Sequence, residues 1–213
     1  MKSILIIGLG RFGRHMAQTF IENGHEVLAI DDSEERADAA VGQIQQIIIG
    51  DARDERFMES LGIKDFDLAV IAIGDNFQTV LEITVLLKDL GCKYIVARAS
   101  RDVHKKLLLR NGADYVVYAE REIAERLAIK FGADNIFDYI ELTPEIGIYE
   151  IAIPRSWIGK SILELSIRTK YHISVLATKK DTHIFPLPHP NHVFKAEESL
   201  MVMGTMEDVN RVK

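Results

Sequence analysis

Residues 4–13 read Ile-Leu-Ile-Ile-Gly-Leu-Gly-Arg-Phe-Gly, and this stretch decides the fold. The apolar run Ile4–Ile7 passes directly into Gly8-x-Gly10-x-x-Gly13. That is the strand, tight turn and helix start of a dinucleotide-binding βαβ unit. Each glycine has its own task. Gly8 permits the sharp turn off the strand, Gly10 lets a pyrophosphate approach backbone, and Gly13 lets the helix pack close to the sheet. The free N–H groups of the helix start and its dipole both favour phosphate.

Working outward, the next strand delivers the pair Asp31-Asp32. Asp31 follows the glycine turn by about 20 residues, the interval expected of the acid that accepts hydrogen bonds from ribose hydroxyls. A carboxylate there repels a 2′-phosphate and disfavours NADP. The alternation then continues. Strands are expected at Val27–Ile30, Gln46–Ile49, Leu68–Ile73, Tyr94–Ala97 and Tyr115–Tyr118. Helices are expected over Gly13–Asn23, Ser33–Val41, Phe57–Leu61, Phe77–Leu90 and Arg101–Asn111. Apolar runs without polar alternation, as in Leu68–Ile73, suit strands buried on both faces of a parallel sheet. The expected class is α/β, a Rossmann-like doubly wound parallel sheet of six strands, followed by a small α+β domain.

The pattern changes after Tyr118. Glu120–Phe131 reads as one amphipathic helix with Ile123, Leu127 and Phe131 on a shared face. An irregular piece follows Gly132. Strands are then expected at Tyr149–Ile153, His172–Thr178 and Ser199–Met203, with a helix over Ser161–Ser166. The expected domains are 1–134 and 135–213, the boundary falling near Asp134. A domain as small as the second is marginal alone and often dimerises.

The bulk numbers narrow the class. The 213 residues are 47% hydrophobic and 27% charged, with net charge −6 and a single cysteine, Cys92. That balance disfavours a nucleic-acid partner. One cysteine excludes an internal disulfide framework and suits a reducing compartment. With the first strand beginning at Ile4, no signal peptide is expected. No apolar run approaches the ~20 residues that span a bilayer.

Several other residues carry chemistry. Arg11 sits inside the glycine turn, where a long cation reaches phosphate of its own or a neighbouring subunit, or else simply faces solvent. Arg98 ends a strand at the ligand-binding edge of the sheet, either facing phosphate or pairing with a nearby acid. Asp51 and Asp75 follow Gly50 and Gly74 at strand ends, where they border the nucleotide or cap helices. Glu120 either holds a cation bridging to phosphate or acts as a helix N-terminal carboxylate. His183, His189 and His192 share a turn-rich stretch whose spacing matches no zinc pattern. Cys92 reads as a small buried side chain.

Together GLGRFG, the acid pair after LAI, GDARDE, AIGDN, ARA and the closing W-x-GKSILEL resemble the RCK (or KTN) regulatory subunits of Ktr- and Trk-type potassium uptake systems. The resemblance covers essentially the whole chain, with a TrkA-N and a TrkA-C lobe. One copy of each is similar to the KtrA type rather than to tandem TrkA. The resemblance implies a cytoplasmic subunit whose N-lobe binds ATP, ADP or NAD(H). It implies homodimers assembled into an octameric ring under a membrane-embedded potassium transporter of the KtrB/TrkH kind, with no insertion into the membrane itself. ATP and ADP would set ring shape and so gate the pore. The implied nucleotide-binding residues are Gly8, Gly10, Arg11, Phe12, Gly13, Asp31, Asp32, Asp51, Ala52, Gly74, Asp75, Asn76 and Arg98. In this mapping Arg11 reaches the terminal phosphate across the dimer interface, and Glu120 matches an acid linked to Mg2+ or Na+ there. The helix after Glu120 would be the crossover helix of the dimer. Ile162, Leu163, Ser166 and Arg168 match a cyclic di-AMP site of the C-lobe, with Ser166 departing from the family's acidic residue.

Two other function classes share some of these features. An NAD-dependent oxidoreductase would explain the glycines and Asp31 equally well. It needs an acid–base residue facing the nicotinamide, for which Lys170 and His172 are the C-terminal candidates. A Rossmann-type transcription factor needs a basic recognition element, and the Arg101–Arg110 stretch spreads its cations over an ordinary exposed face.

Overall fold

The run Ile4–Ile7 is apolar without alternation because both faces of its strand are covered. In the computed structural model, which describes residues 1–133 and 135–212, all four side chains are at most 2% exposed. Ile4 and Ile6 join Ala17, Met16 and Phe20 on one face of the sheet. Leu5 and Ile7 join Met58, Val80, Ile83 and Leu87 on the other.

This strand, β1 (Ser3–Ile7), starts a first compact unit spanning residues 1–120. It continues through α1 (Arg11–Glu22), β2 (Glu26–Asp31), α2 (Glu34–Asp38), β3 (Gln46–Ile49) and α3 (Glu55–Ser60). Then come β4 (Leu68–Ile71), α4 (Phe77–Asp89), β5 (Ile95–Arg98), α5 (Asp102–Arg110) and β6 (Tyr115–Val117). The strand order is β3-β2-β1-β4-β5-β6, every pairing parallel. The expected doubly wound sheet is present. Its order reverses between β1 and β4, where ligands bind in such sheets. β4 stops at Ile71, short of the expected Ile73. Ala72 still donates its N–H to Ile7, but Ile73 turns over Gly8 and walls the glycine turn.

The second unit spans residues 121–213. The helix α6 (Ala119–Gly132) is mostly within it. It contains β7 (Ile136–Glu141), β8 (Gly147–Ala152), α7 (Ile162–Leu165), α8 (Ile167–Tyr171), β9 (Ser174–Lys180), β10 (His183–Pro186), β11 (Glu198–Gly204) and α9 (Met206–Asn210). The five strands form an antiparallel sheet in the order β10-β9-β11-β8-β7. Its core holds Trp157, Tyr149, Phe194, Ile151 and Leu200, with Ile129 of α6 packed against it.

Four local expectations change here. The segment after Gly132 is a strand, β7. The turn-rich segment contains another, β10. The single helix expected over Ser161–Ser166 is two, because Ser166 adopts a left-handed conformation at φ 48°. His172 is also left-handed, at φ 57°, so β9 starts at Ser174 rather than at His172. The expected boundary at Asp134 lies outside the described residues.

Candidate nucleotide site at the carboxyl edge of the parallel sheet

The three glycines of the turn meet different surroundings. Gly8 has φ +99°, a conformation that strains any side chain, and an added Cβ would press on Ile73. At Gly13 an added Cβ would lie 1.9 Å from the Gly8 carbonyl oxygen and 3.0 Å from the Ala72 Cβ. Gly10, the residue preceding α1, has ordinary φ of −63° and open space around its missing Cβ. No side chain caps α1. The turn therefore presents a helix start and a bare backbone position to the outside, the geometry that accepts phosphate.

Asp31 ends β2 and is only 4% exposed. Its Oδ2 accepts the Leu9 N–H at 2.6 Å, and its Oδ1 accepts the Ser33 N–H at 2.8 Å. The Arg36 Nε donates to both oxygens, at 2.9 and 3.0 Å. Arg36 also reaches Asp32 Oδ1 at 2.6 Å. Burial pushes the Asp31 carboxyl up, but the Arg36 guanidinium and the two backbone donors outweigh it and hold the pKa below the usual carboxylate value. The Leu9 bond ties the acid directly to the glycine turn.

A cavity of about 220 Å³ opens beside this acid. Of the expected residues it takes in Gly8, Asp31, Asp32, Asp51, Ala52 and Asn76, with Arg36, Arg53, Thr79 and Ile83 added. Gly10, Arg11, Phe12, Gly13, Gly74, Asp75 and Arg98 are outside its lining. Asp51 is paired with Arg53, whose Nε and a terminal nitrogen donate to it at 2.9 and 2.8 Å. That hydrogen bonding holds the Asp51 pKa low. Neither Asp51 nor Asp75 caps a helix. The caps are Asp54, accepting the Phe57 N–H, and Asn76, accepting the Thr79 N–H.

The two candidate phosphate cations differ. Arg98 lies against Gly74, where a Cβ would come within 2.6 Å of its guanidinium, and stands 5.6 Å from the Phe12 ring centroid. Its free end is paired with Glu120. A side chain at Gly74 would thus displace the Arg98 guanidinium from this seat. The Arg11 side chain has no hydrogen bond or ion pair among the described residues. It borders a separate surface depression with Arg14, His15, Gln18 and Gln43. Glu120 is held by Arg98, and no group of three or more His, Cys, Asp or Glu side chains suited to a metal occurs among the described residues. A single carboxylate such as Glu120 fits Mg2+ or Na+ only together with phosphate oxygens of a bound nucleotide, and here it is engaged by Arg98.

In the second unit, Ser161 and Glu164 form a capping box at the start of α7. Leu163 is 63% exposed, while Ile162 packs against the core. The Ser166 hydroxyl donates to the Leu163 carbonyl at 3.4 Å. Arg168 carries no partner among the described residues. The histidines do not converge on a metal: His189 Nδ1 accepts the Asn191 N–H and His192 pairs with Glu198. Cys92 is buried, and burial pushes its thiol pKa up.

Arg36 and Arg53 are the charged site residues that the sequence reading missed. Each follows an acid already singled out, at the start of the next helix or turn.

Comparison with known proteins adds an independent finding. Residues 4–119 match the TrkA-N domain and residues 148–213 the TrkA-C domain. The chain is 36% identical over 210 residues to Ktr system potassium uptake protein C of Bacillus subtilis (strain 168), a match covering 99% of this chain and 95% of that one. It shares the fold of the GsuK channel, with TM-score 0.71 and 19% identity, over 98% of this chain but 38% of the channel chain. It is also similar to the Shewanella denitrificans Kef CTD in AMP bound form, with TM-score 0.51 and 31% identity, over 61% of this chain and 79% of that one.

Proposed function

The chain belongs to the family that joins a TrkA-N domain to a TrkA-C domain, the family of the Ktr potassium-uptake proteins, and on that premise we propose that it is the adenine-nucleotide-responsive regulatory subunit of a membrane potassium-uptake system. The observation that carries this reading is the glycine turn joined to Asp31. Backbone open at Gly10, a helix start without a side-chain cap, and an acid hydrogen-bonded to Leu9 surround one edge of the sheet. That set fits the phosphates and ribose of ATP, ADP or NAD(H). The AMP-bound form of the Kef relative supports an adenine nucleotide as the ligand class.

Gating requires two states that a ligand binds unequally. Arg11, unpartnered beside the glycine turn, supplies the means: it reaches the terminal phosphate of a nucleotide held by a neighbouring copy, and so separates ATP from ADP. Arg98, seated on Gly74 and beside Phe12, is the second phosphate cation, released when Glu120 lets go.

The assembly we infer is a homodimer, built into an octameric ring beneath a KtrB/TrkH-like transporter at the cytoplasmic face of the membrane. Ile123, Leu127 and Phe131 of α6 are 58%, 45% and 78% exposed. Large apolar side chains so placed on one helix face support its role as the crossover helix packed in the dimer. We infer functional lobes at 1–134 and 135–213 joined by α6, while the compact units themselves part between Glu120 and Arg121. No helix among the described residues is long and apolar enough to cross a membrane. Contact with the bilayer would come through the partner. In the C-lobe, Leu163 and the unpartnered Arg168 support a cyclic di-AMP site with Ile162 and Ser166.

Reconstitution tests the reading. Liposomes carrying a KtrB/TrkH-like transporter and this chain should conduct potassium at rates that differ between ATP and ADP. Equal fluxes with both nucleotides, in a complex shown to be assembled, would overturn it.

A further inference from the structure

Asp31 has no acceptor capacity left for a ribose. An ionised carboxylate offers about four lone-pair positions. Its Oδ1 already accepts the Ser33 N–H and Arg36, and its Oδ2 the Leu9 N–H and Arg36. The two backbone donors belong to the turn and to the start of α2, and they are fixed by the fold. The Arg36 side chain is different: it is 50% exposed, rests on a long flexible stem, and already touches a second acid, Asp32, at 2.6 Å.

We propose that Arg36 is a specificity-determining gate on the ribose subsite, holding the Asp31 oxygens that ribose hydroxyls need and yielding them by withdrawing to Asp32. The inference rests on the nucleotide reading of this site and goes beyond it by naming what the ligand must displace. A vicinal diol replaces the lost guanidinium bonds with two of its own. A sugar lacking both hydroxyls replaces none, so it leaves Arg36 where it is and gains nothing from Asp31. Asp32 then acts through Arg36, as a positioning residue that keeps the displaced cation paired, rather than through contact with ribose. Its side chain is 66% exposed, consistent with a resting place at the rim.

The test uses calorimetric titration of the full chain with ATP and with 2′,3′-dideoxy-ATP at pH 8. Arg36→Gln should bind ATP about five- to tenfold tighter than wild type, the size of one charge-assisted hydrogen bond no longer displaced. Its affinity for dideoxy-ATP should be unchanged. Asp32→Asn should weaken ATP binding when Arg36 is present and have no effect in the Arg36→Gln background. Because Asp32 is exposed, that variant keeps the test open should Arg36→Gln fold poorly. Unchanged or weaker ATP binding by Arg36→Gln, or an equal gain for the dideoxy nucleotide, overturns the gate while leaving the nucleotide site standing. Absence of binding of ATP, ADP, AMP and NADH by wild type overturns the nucleotide reading and the gate with it.

Discussion

Gly13 lies so close to Gly8 that a Cβ on Gly13 would sit 1.9 Å from the Gly8 carbonyl oxygen. This contact lets α1 start directly against the strand end. It also separates the structural glycines of the turn from the one left open to a ligand. A Cβ on Gly10 would have nothing within 4 Å.

Gly13→Ala should therefore destabilise the fold by about 2–3 kcal/mol, since the obstructing atom is backbone and the helix start must shift. Gly10→Ala should cost under about 1 kcal/mol, roughly that of an unfavourable residue at the helix cap. Urea unfolding measures both. Gly10→Ala should nevertheless lose nucleotide binding in calorimetry, because its methyl group occupies the phosphate approach. Retained binding by a folded Gly10→Ala protein would place the ligand elsewhere.

Arg98 bears on phosphate count. Arg98→Ala should weaken ATP binding by about tenfold, the cost of one charge-assisted contact, and AMP binding much less. The pair with Glu120 is partly exposed, so the melting temperature should barely move. An equal loss for AMP and ATP would remove Arg98 from the phosphates.

Acid should unfold the protein through its paired carboxylates. Asp31 and Asp51 are held below the ordinary value of 3.8 in the folded chain. A lowered folded pKa means the unfolded state binds more protons as pH falls, so the stability these groups contribute is full above about 4 and is lost below it. The urea midpoint should be nearly level from pH 7 to 5 and fall below 4. Asp31→Asn should start lower at neutral pH and show a shallower fall. A slope unaffected by that substitution would show that Asp31 is not held low.

In the second unit the Ser161 hydroxyl accepts the Glu164 N–H, while the Glu164 carboxylate accepts from the Ser161 N–H and hydroxyl. Ser161→Ala should cost about 1 kcal/mol, read as a lower melting temperature. Nucleotide affinity of the first unit should not change. A shift in that affinity would mean the two lobes are energetically coupled.

The parallel sheet was legible because its central strands β1 and β4 are buried on both faces and its helices follow at regular intervals. Ser33, at the start of the expected second helix, caps α2 and accepts the Arg36 N–H, whereas the caps of α3 and α4 are Asp54 and Asn76, just past the Asp51 and Asp75 that the sequence singles out. The second unit hid more. In β7, Ile136 and Tyr139 face the core, but a register shift between Ile136 and Asp138 breaks the alternation that would have marked a strand. All four residues of β10 are exposed and it ends in proline, so its two adjacent apolar residues, Ile184 and Phe185, give none of the inward–outward alternation that marks a strand. α9 had a visible signal in Thr205 and Asp208, spaced as a helix cap and its partner. At the site, the sequence placed Asp31 correctly at the end of β2, but nothing in the spacing showed that Arg36 would claim its oxygens. That depends on Ser33 capping α2, which sets Arg36 in the first turn, beside the acid.

The claim that this protein distinguishes nucleotides by their terminal phosphate is tested most directly by titrating ATP and ADP into wild type and Arg11→Ala under conditions that preserve the oligomer. Wild type should favour ATP over ADP by about tenfold, the worth of one charge-assisted phosphate contact, and Arg11→Ala should bind the two alike. An ATP-to-ADP affinity ratio left unchanged by the substitution would contradict it.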